Sequence, residues 1–203
     1  MTTREKIIYE SLNLFSKKGF DAISVRDIAK AVGIRASSIY NHFKNKQDIL
    51  DTIIERYSER VTKFFRRIES NSLSKLSSSN DKANQASGEE FIKGSSEIFK
   101  FYLEDEYMIK LRRLLTIEQY SNLRLANLYN KIFINDVLDF QMKVFTELMN
   151  ANIFVKRDPY TLALQFYSPV FLLFYKLENI TNKERVSLEN HISEFKNVYI
   201  TKG

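Results

Sequence analysis

Apolar residues recur along this chain at intervals of three and four, the period of a helix with one buried face. Ile8, Leu12 and Phe15 begin the pattern, and Gly19 supplies a stop after Lys17 and Lys18. Thr2 and Glu5 are spaced to close a capping box at the start of that helix. A second helix opens at Ser24, with Asp27 three residues on, and places Val25, Ile28, Ala29 and Val32 on one face. Gly33 ends it after about two turns. A third short helix is expected over Ala36 to Phe43. Asn45 and Asp48 repeat the cap pattern ahead of a long fourth helix through Ile49, Leu50, Ile53, Ile54 and Tyr57 to about Glu69.

The pattern then lapses. Residues 70–88 hold seven serines and little to bury, and read as a mobile loop or linker, with room for a fraying helix end. Ser87 and Glu90 restart helix, with Phe91, Ile98, Phe101 and Tyr102 as its stripe. Helices at about 106–118 and 122–150 follow. Asp158 and Pro159 form a cap and first helical residue, opening a helix to about Leu177 that Pro169 should kink. Thr181 and Glu184 open the last helix, with Val186, Ile192, Phe195 and Tyr199 as apolar contacts. With only 5 Gly and 2 Pro, turn punctuation is scarce, and no alternating strand pattern survives. The expected architecture is all-α, about nine helices, with no internal repeat.

Charge adds a division that hydropathy does not show. Residues 1–67 carry 14 Lys and Arg against 8 Asp and Glu, whereas residues 68–203 carry 17 of each. The whole net charge of +6 therefore sits in the first third. Aromatics divide the other way, with 8 Phe and Tyr before residue 68 and 19 after it. A basic small module joined to a neutral, aromatic-rich body is the simplest description. Such asymmetry is a footprint for nucleic acid or an anionic membrane surface. The membrane reading is the weaker, because the basic face carries hydroxyls and Asn rather than bulky apolar residues. The most apolar run, Leu162 to Tyr175, is interrupted by Gln165, Ser168 and Pro169, and falls short of the about 20 residues a span needs. The charged N-terminus lacks a signal-peptide core, and cysteine is absent, so a cytoplasmic, nucleoid-associated location is expected.

The basic module also carries the most specific pattern. Two short helices meeting at Gly33 form a helix-turn-helix, in which the second helix enters the DNA major groove. Ala29 is small where the helices cross, Gly33 tolerates positive φ, and Ile28, Val32, Ile34 and Ile39 supply the buried contacts. Ser37, Ser38, Tyr40, Asn41 and His42 then face outward, with Lys44 and Lys46 beyond. An ordinary α-hairpin with a solvated face has the same outline. Three features weigh against it: the confinement of charge to this module, the hydroxyl-rich face, and Lys46 in the first turn of helix four. A cation there opposes the helix dipole and calls for a nearby anion.

Residues 4–55 resemble the N-terminal domain of the TetR/AcrR family of transcriptional regulators. The resemblance rests on IIYESLNLFSKKGFDAISV, then RDIAKAVGI, then SIYNHFKNKQDIL. Together they give F-x-x-x-G-[FY], [ST]-V-x-D-I-A-x-x-x-G and Y-x-H-F-x-x-K over about a quarter of the chain. The resemblance implies a DNA-binding head over 1–47, helix four (46–69) as connector, and a ligand-binding and dimerisation domain over 48–203. It further implies a homodimer through the last two helices and binding of a near-palindromic double-stranded operator, most often in repression. Carried over position by position, the DNA contacts fall on Ser24, Arg26, Arg35, Ala36, Ser37, Ser38, Tyr40, Asn41, His42 and Lys46. Tyr40, His42 and Lys46 are expected on phosphates, with Ser37, Ser38 and Asn41 on base edges. Two departures fall in the turn: many relatives have Ser or Thr at Arg35 and Gly or Pro at Ser37.

The resemblance also implies a small-molecule pocket inside helices five to eight. Its aromatic candidates are Phe101, Tyr102, Tyr120, Phe133, Phe140, Phe166, Tyr167 and Phe171, although each taken singly reads first as core. The implied effector is small and apolar or aromatic. His191, a lone histidine on the last helix, reads as a packed or solvated side chain before a ligand or pH switch. Without a Gly-rich phosphate loop, a metal-spaced His/Cys set or a thiol, no catalytic residue, metal or cofactor is expected. A DNA-bound structural or adaptor protein on the same fold, with a protein partner and no effector, is the alternative; a thermal-shift ligand screen separates the two.

Overall fold

The computed structural model describes the backbone of residues 1–72, 81–176 and 179–201. Ten α-helical segments occupy most of it: α1 Thr3–Lys18, α2 Val25–Val32, α3 Ala36–Ile39, α4 Lys46–Ser72, α5 Asp81–Glu104, α6 Glu106–Glu118, α7 Leu123–Asn130, α8 Asp136–Asn150, α9 Pro159–Leu173 and α10 Asn182–Tyr199. A π-turn, Lys131–Asn135, joins α7 to α8 without a break, so residues 123–150 form one rod and the helices number nine among the described residues. An isolated antiparallel bridge, Phe154 to Ile200, is the only β-type pairing among those residues.

Local chemistry sets the helix starts. At α1 the Glu5 N–H donates to the Thr2 hydroxyl (3.3 Å) while Thr2 N–H donates to the Glu5 carboxylate (2.8 Å). The same reciprocal box opens α2 at Ser24 and Asp27 and α10 at Thr181 and Glu184. At α9 the Asp158 carboxylate accepts from Thr161 N–H at 2.7 Å, with Pro159 as first helical residue. These bonds favour the charged carboxylates, and Glu5, Asp27 and Asp158 are all held below the ordinary carboxylate range.

Several limits differ from those the spacing predicts. α5 begins at Asp81, so residues 81–88 of the serine-rich stretch are helical rather than linker; Lys, Ala, Gln and Glu in DKANQASGEE are good helix formers. Residues 73–80 of that stretch lie outside the described residues. α9 ends at Leu173, ahead of the expected Leu177. On α10 Val186 is exposed, and Leu188 takes the buried position with Ile192 and Phe195.

The chain divides into two compact units, residues 1–63 with 106–129, and residues 64–105 with 130–203. α6 and most of α7 thus group with α1 to α3 and most of α4. In the first unit α1, α2, α4 and α6 enclose Ile8, Leu12, Phe15, Ile28, Ile49 and Leu111. Polar ties cross the same unit: Tyr107 donates to the Ile53 carbonyl (2.9 Å) and Arg124 pairs with Asp51 (2.8 Å). The second unit is an aromatic core. Phe145, Phe166, Phe91 and Phe195 pack mostly tilted against one another in one part, and Tyr102, Phe133, Tyr167 and Phe174 pack edge to face in another. The π-turn has a cause there: the Tyr102 and Tyr167 hydroxyls donate to the Ile132 and Phe133 carbonyls (3.3 and 3.1 Å). Burial pushes the Tyr102 pKa upward, so that group stays a donor.

Candidate nucleic-acid interface

α2 and α3 meet through a tight reversal. Gly33 adopts φ 81° and ψ 33°, the left-handed region. Its N–H donates to the Lys30 carbonyl (3.2 Å), and Ile34 N–H donates to the Ala29 carbonyl (3.0 Å), which together close a Schellman motif. A Cβ at Gly33 meets nothing within 4 Å, so the demand is for backbone conformation and not for space. Gly19 differs. It too has positive φ (83°), but a Cβ there would lie 2.7 Å from the Glu118 carboxylate and 3.1 Å from Ile117.

α3 is shorter than the spacing predicts. It covers Ala36–Ile39, one turn, after which Tyr40 to His42 turn toward α4. Arg35 stands at the N-cap without a side-chain bond. Ser, Ile, Tyr, Asn, His and Phe are middling helix formers, so nothing in the sequence extends the helix once Ile39 and Phe43 are buried. His42 N–H and Phe43 N–H both donate to the Ile39 carbonyl (2.9 and 3.0 Å), tightening the exit.

This geometry leaves a surface of uncommitted polar groups. Arg26, Arg35, Ser37, Asn41 and His42 are exposed, Tyr40 is 57% exposed, and Ala36 and Ser38 are half-buried. Among the described residues, no hydrogen bond or ion pair engages the side chains of Arg26, Arg35, Ser37, Ser38, Tyr40, Asn41 or His42. Ser24 is different, since its hydroxyl is held by the α2 cap and donates to Asp27 at 2.6 Å.

Lys46 is also held. Its ammonium donates to the Phe20 carbonyl at 2.7 Å and lies 4.2 Å from the centroid of the Phe20 ring. The opposed helix dipole is therefore met by a carbonyl of the α1–α2 turn. The Phe20 N–H in turn donates to the buried Glu118 carboxylate at 2.7 Å, so one peptide residue is gripped from α4 and from α6. Spacing along the chain did not point to Glu118 or Phe20, because both act through contacts about 100 residues apart. Arg4, whose guanidinium lies 4.9 Å from the Phe43 ring centroid, is likewise brought to its partner by the fold and not by helical spacing.

The aromatic candidates do not share one cavity. Phe101, Tyr102, Phe133, Phe166 and Tyr167 are buried and Phe140 and Phe171 half-buried, all in the second unit. Tyr120 is 89% exposed at the end of α6 in the first unit, which removes it from that set. Phe101 stacks on Phe64 (4.0 Å) and Phe140 tilts against Phe65 (4.9 Å), so these rings pack on one another. An apolar cleft of about 680 Å³ does exist in this unit, with Ile134 and Leu138 on one wall and Leu164, Tyr167, Phe171 and Leu172 on the other. His191 places Nε2 3.0 Å from the Phe166 carbonyl and stacks on that ring, a packed side chain as its surroundings predict.

A helix-turn-helix with a capped positioning helix, a glycine reversal and an uncommitted polar face defines a DNA-binding type of head on an all-helical body. Comparison with known proteins agrees. Residues 7–53 match the family model for bacterial regulatory proteins, tetR family. Over 52 residues the chain is 40% identical to the biofilm operon icaADBC negative transcriptional regulator IcaR of Staphylococcus epidermidis, a match spanning 26% of this chain and 28% of that relative. The fold extends further. A Mesorhizobium loti protein assigned to the TetR family of transcriptional regulators aligns over 98% of this chain and 97% of its own, at 18% identity and a TM-score of 0.67. AibR, crystallised with isovaleryl coenzyme A and operator DNA, aligns over 93% and 95%, at 14% identity and a TM-score of 0.60. Residues 7–53 are thus similar to the tetR family of bacterial regulatory proteins, and the chain over nearly its whole length shares the fold of these solved structures.

Proposed function

We propose that the chain is a homodimeric transcriptional repressor that binds a near-palindromic operator and responds to a small molecule. The observation that carries this reading is the row of exposed, uncommitted donors from Arg35 to His42 beside Arg26, on the module that holds all the net charge. Asn41, Ser37 and Ser38 read base edges; Tyr40, His42, Arg26 and Arg35 meet phosphates. Lys46 contributes by holding the start of α4 against the turn at Phe20, with the helix N-terminus left to a phosphate. Ser24 acts as the cap that sets the pitch of α2. Repression is favoured by the likeness to IcaR, whose description is that of a negative regulator.

The dimer uses α9 and α10, which present exposed apolar side chains: Leu164 and Leu172 (72% exposed) on α9, with Tyr175 just beyond it, and Val186 and Val198 (68%) on α10. A row of this kind is the mark of a covered surface. Leu164 and Leu172 also line the 680 Å³ cleft, so a second copy would roof it. An effector in the cleft fits the AibR complex, in which ligand and operator occur together.

Gel retardation with duplexes from the region upstream of the chain's own gene tests the reading. Retardation at low salt that weakens steeply on adding salt is expected. Absence of any retarded duplex at low salt would remove it.

A further inference from the structure

Gln141 lies on the inner face of α8 and is 4% exposed, yet among the described residues neither its amide nitrogen nor its carbonyl oxygen has a hydrogen-bond partner. A primary amide brings two donors and an acceptor oxygen into the core, and leaving them unpaired there is unfavourable. Three other polar groups of the same unit are paired: Tyr102 with the Ile132 carbonyl, Tyr167 with the Phe133 carbonyl, and His191 with the Phe166 carbonyl. Among the described residues, Gln141 is the buried side chain of this unit left unpaired.

Its position relates it to the cleft. Gln141 is three residues on from Leu138, so the two share the inner face of α8, and Leu138 lines the 680 Å³ space. A volume of that size suits a small molecule. The lining is otherwise apolar with three hydroxyls: those of Tyr167 and Ser168 donate to the Phe133 and Leu164 carbonyls, and Tyr175 stands exposed. Charge narrows the ligand further. Among the described residues, the buried charged side chains Arg112 and Glu118 both belong to the first unit, while the second unit buries Ser95 and Gln141 as its polar side chains. A carboxylate or ammonium brought to Gln141 would lack a counter-ion.

We propose that Gln141 is the polar anchor of the effector, a neutral small molecule with an apolar body and an amide-like head that sets one donor beside one acceptor. Carboxamides, lactams and imides have that head; the body extends along Leu138 and Tyr167 into the cleft. This rests on the effector-responsive reading above.

The test is calorimetric titration of the full chain with benzamide, benzoate, benzylammonium and acetophenone as probes, on the wild type, Gln141→Met and Gln141→Leu. Benzamide is expected to bind at least about tenfold more tightly than the other three, because a site built for a paired head rejects analogues lacking it. In both variants that preference should fall to within about twofold. The ligand-free variants should melt about 2–4 °C higher, since an unpaired amide has been removed. No heat with benzamide, no preference in the wild type, a preference kept by both variants, or variants that melt lower would each overturn the proposal. Duplex retardation is read in parallel. Absence of the benzamide preference in the wild type with DNA binding intact removes the Gln141 site alone, whereas benzamide bound at Gln141 without release of duplex leaves the site standing and removes the effector role.

Discussion

Gly33 shows how a single residue's backbone can carry the head. Its left-handed conformation is intrinsic to the Schellman closure, and the space around its missing Cβ is open. Gly33→Ala should therefore lower stability by about 1–2 kcal/mol through backbone strain alone. Thermal unfolding should show a fall of about 2–8 °C, with Gly33→Asn milder because Asn tolerates that region better. Equal losses for Ala and Asn would point to a hidden steric demand. Lys46 and Arg35 separate two uses of a cation. Lys46 is bonded to the Phe20 carbonyl, so Lys46→Ala should cost about 1–2 kcal/mol of stability and leave the salt slope of DNA binding unchanged. Arg35 is exposed and uncommitted, so Arg35→Ala should leave stability alone and flatten the slope by about one for each head. The residue types at both positions were legible in the sequence. That the Lys46 side chain turns inward was not, because Phe20 lies 26 residues away and only the folded turn brings its carbonyl there.

Elements were legible where their causes are local. The boxes at Thr2, Ser24 and Thr181 and the cap at Asp158 each join residues three apart, and all four open helices as their spacing predicts. α3 failed in extent because its end depends on where Ile39 and Phe43 are buried, a tertiary matter. The π-turn failed altogether, since it follows from tyrosines on α5 and α9 reaching carbonyls of the rod. The start of α10 yields a pH prediction. The Lys176 ammonium, then the Thr181 N–H and hydroxyl, hold the Glu184 pKa down to about 2 from an ordinary 4.5. A carboxyl with a lowered folded pKa contributes stability that is present above about 4.5 and lost as pH falls toward about 2. Glu184→Gln should therefore unfold at lower temperature than wild type at neutral pH, and the two melting curves should converge as pH drops through that window. Melting curves that stay parallel down to pH 2 would show that the box adds nothing to α10.

At the scale of the whole molecule, the charge split and the apolar faces of α9 and α10 belong to one argument. One head makes few phosphate contacts, and affinity from a few contacts is slight at physiological salt. Two heads held by a two-fold axis double the contacts and turn a short half-site into a palindrome. On the proposed function, the aromatic body, neutral across residues 68–203, serves to hold two copies together. Breaking the dimer should then act on DNA binding through number and not through contact chemistry. Leu172→Asp places a charge on the most exposed apolar side chain of α9 without touching the head. Sedimentation should show a shift from dimer to monomer at micromolar concentration, with the far-ultraviolet helix signal retained. The slope of log affinity against log salt should fall to about half its wild-type value, because half the phosphates are met. Preference for a palindrome over a single half-site should vanish with it. A variant that stays dimeric, or a monomer with an undiminished salt slope, would move the dimer face away from α9.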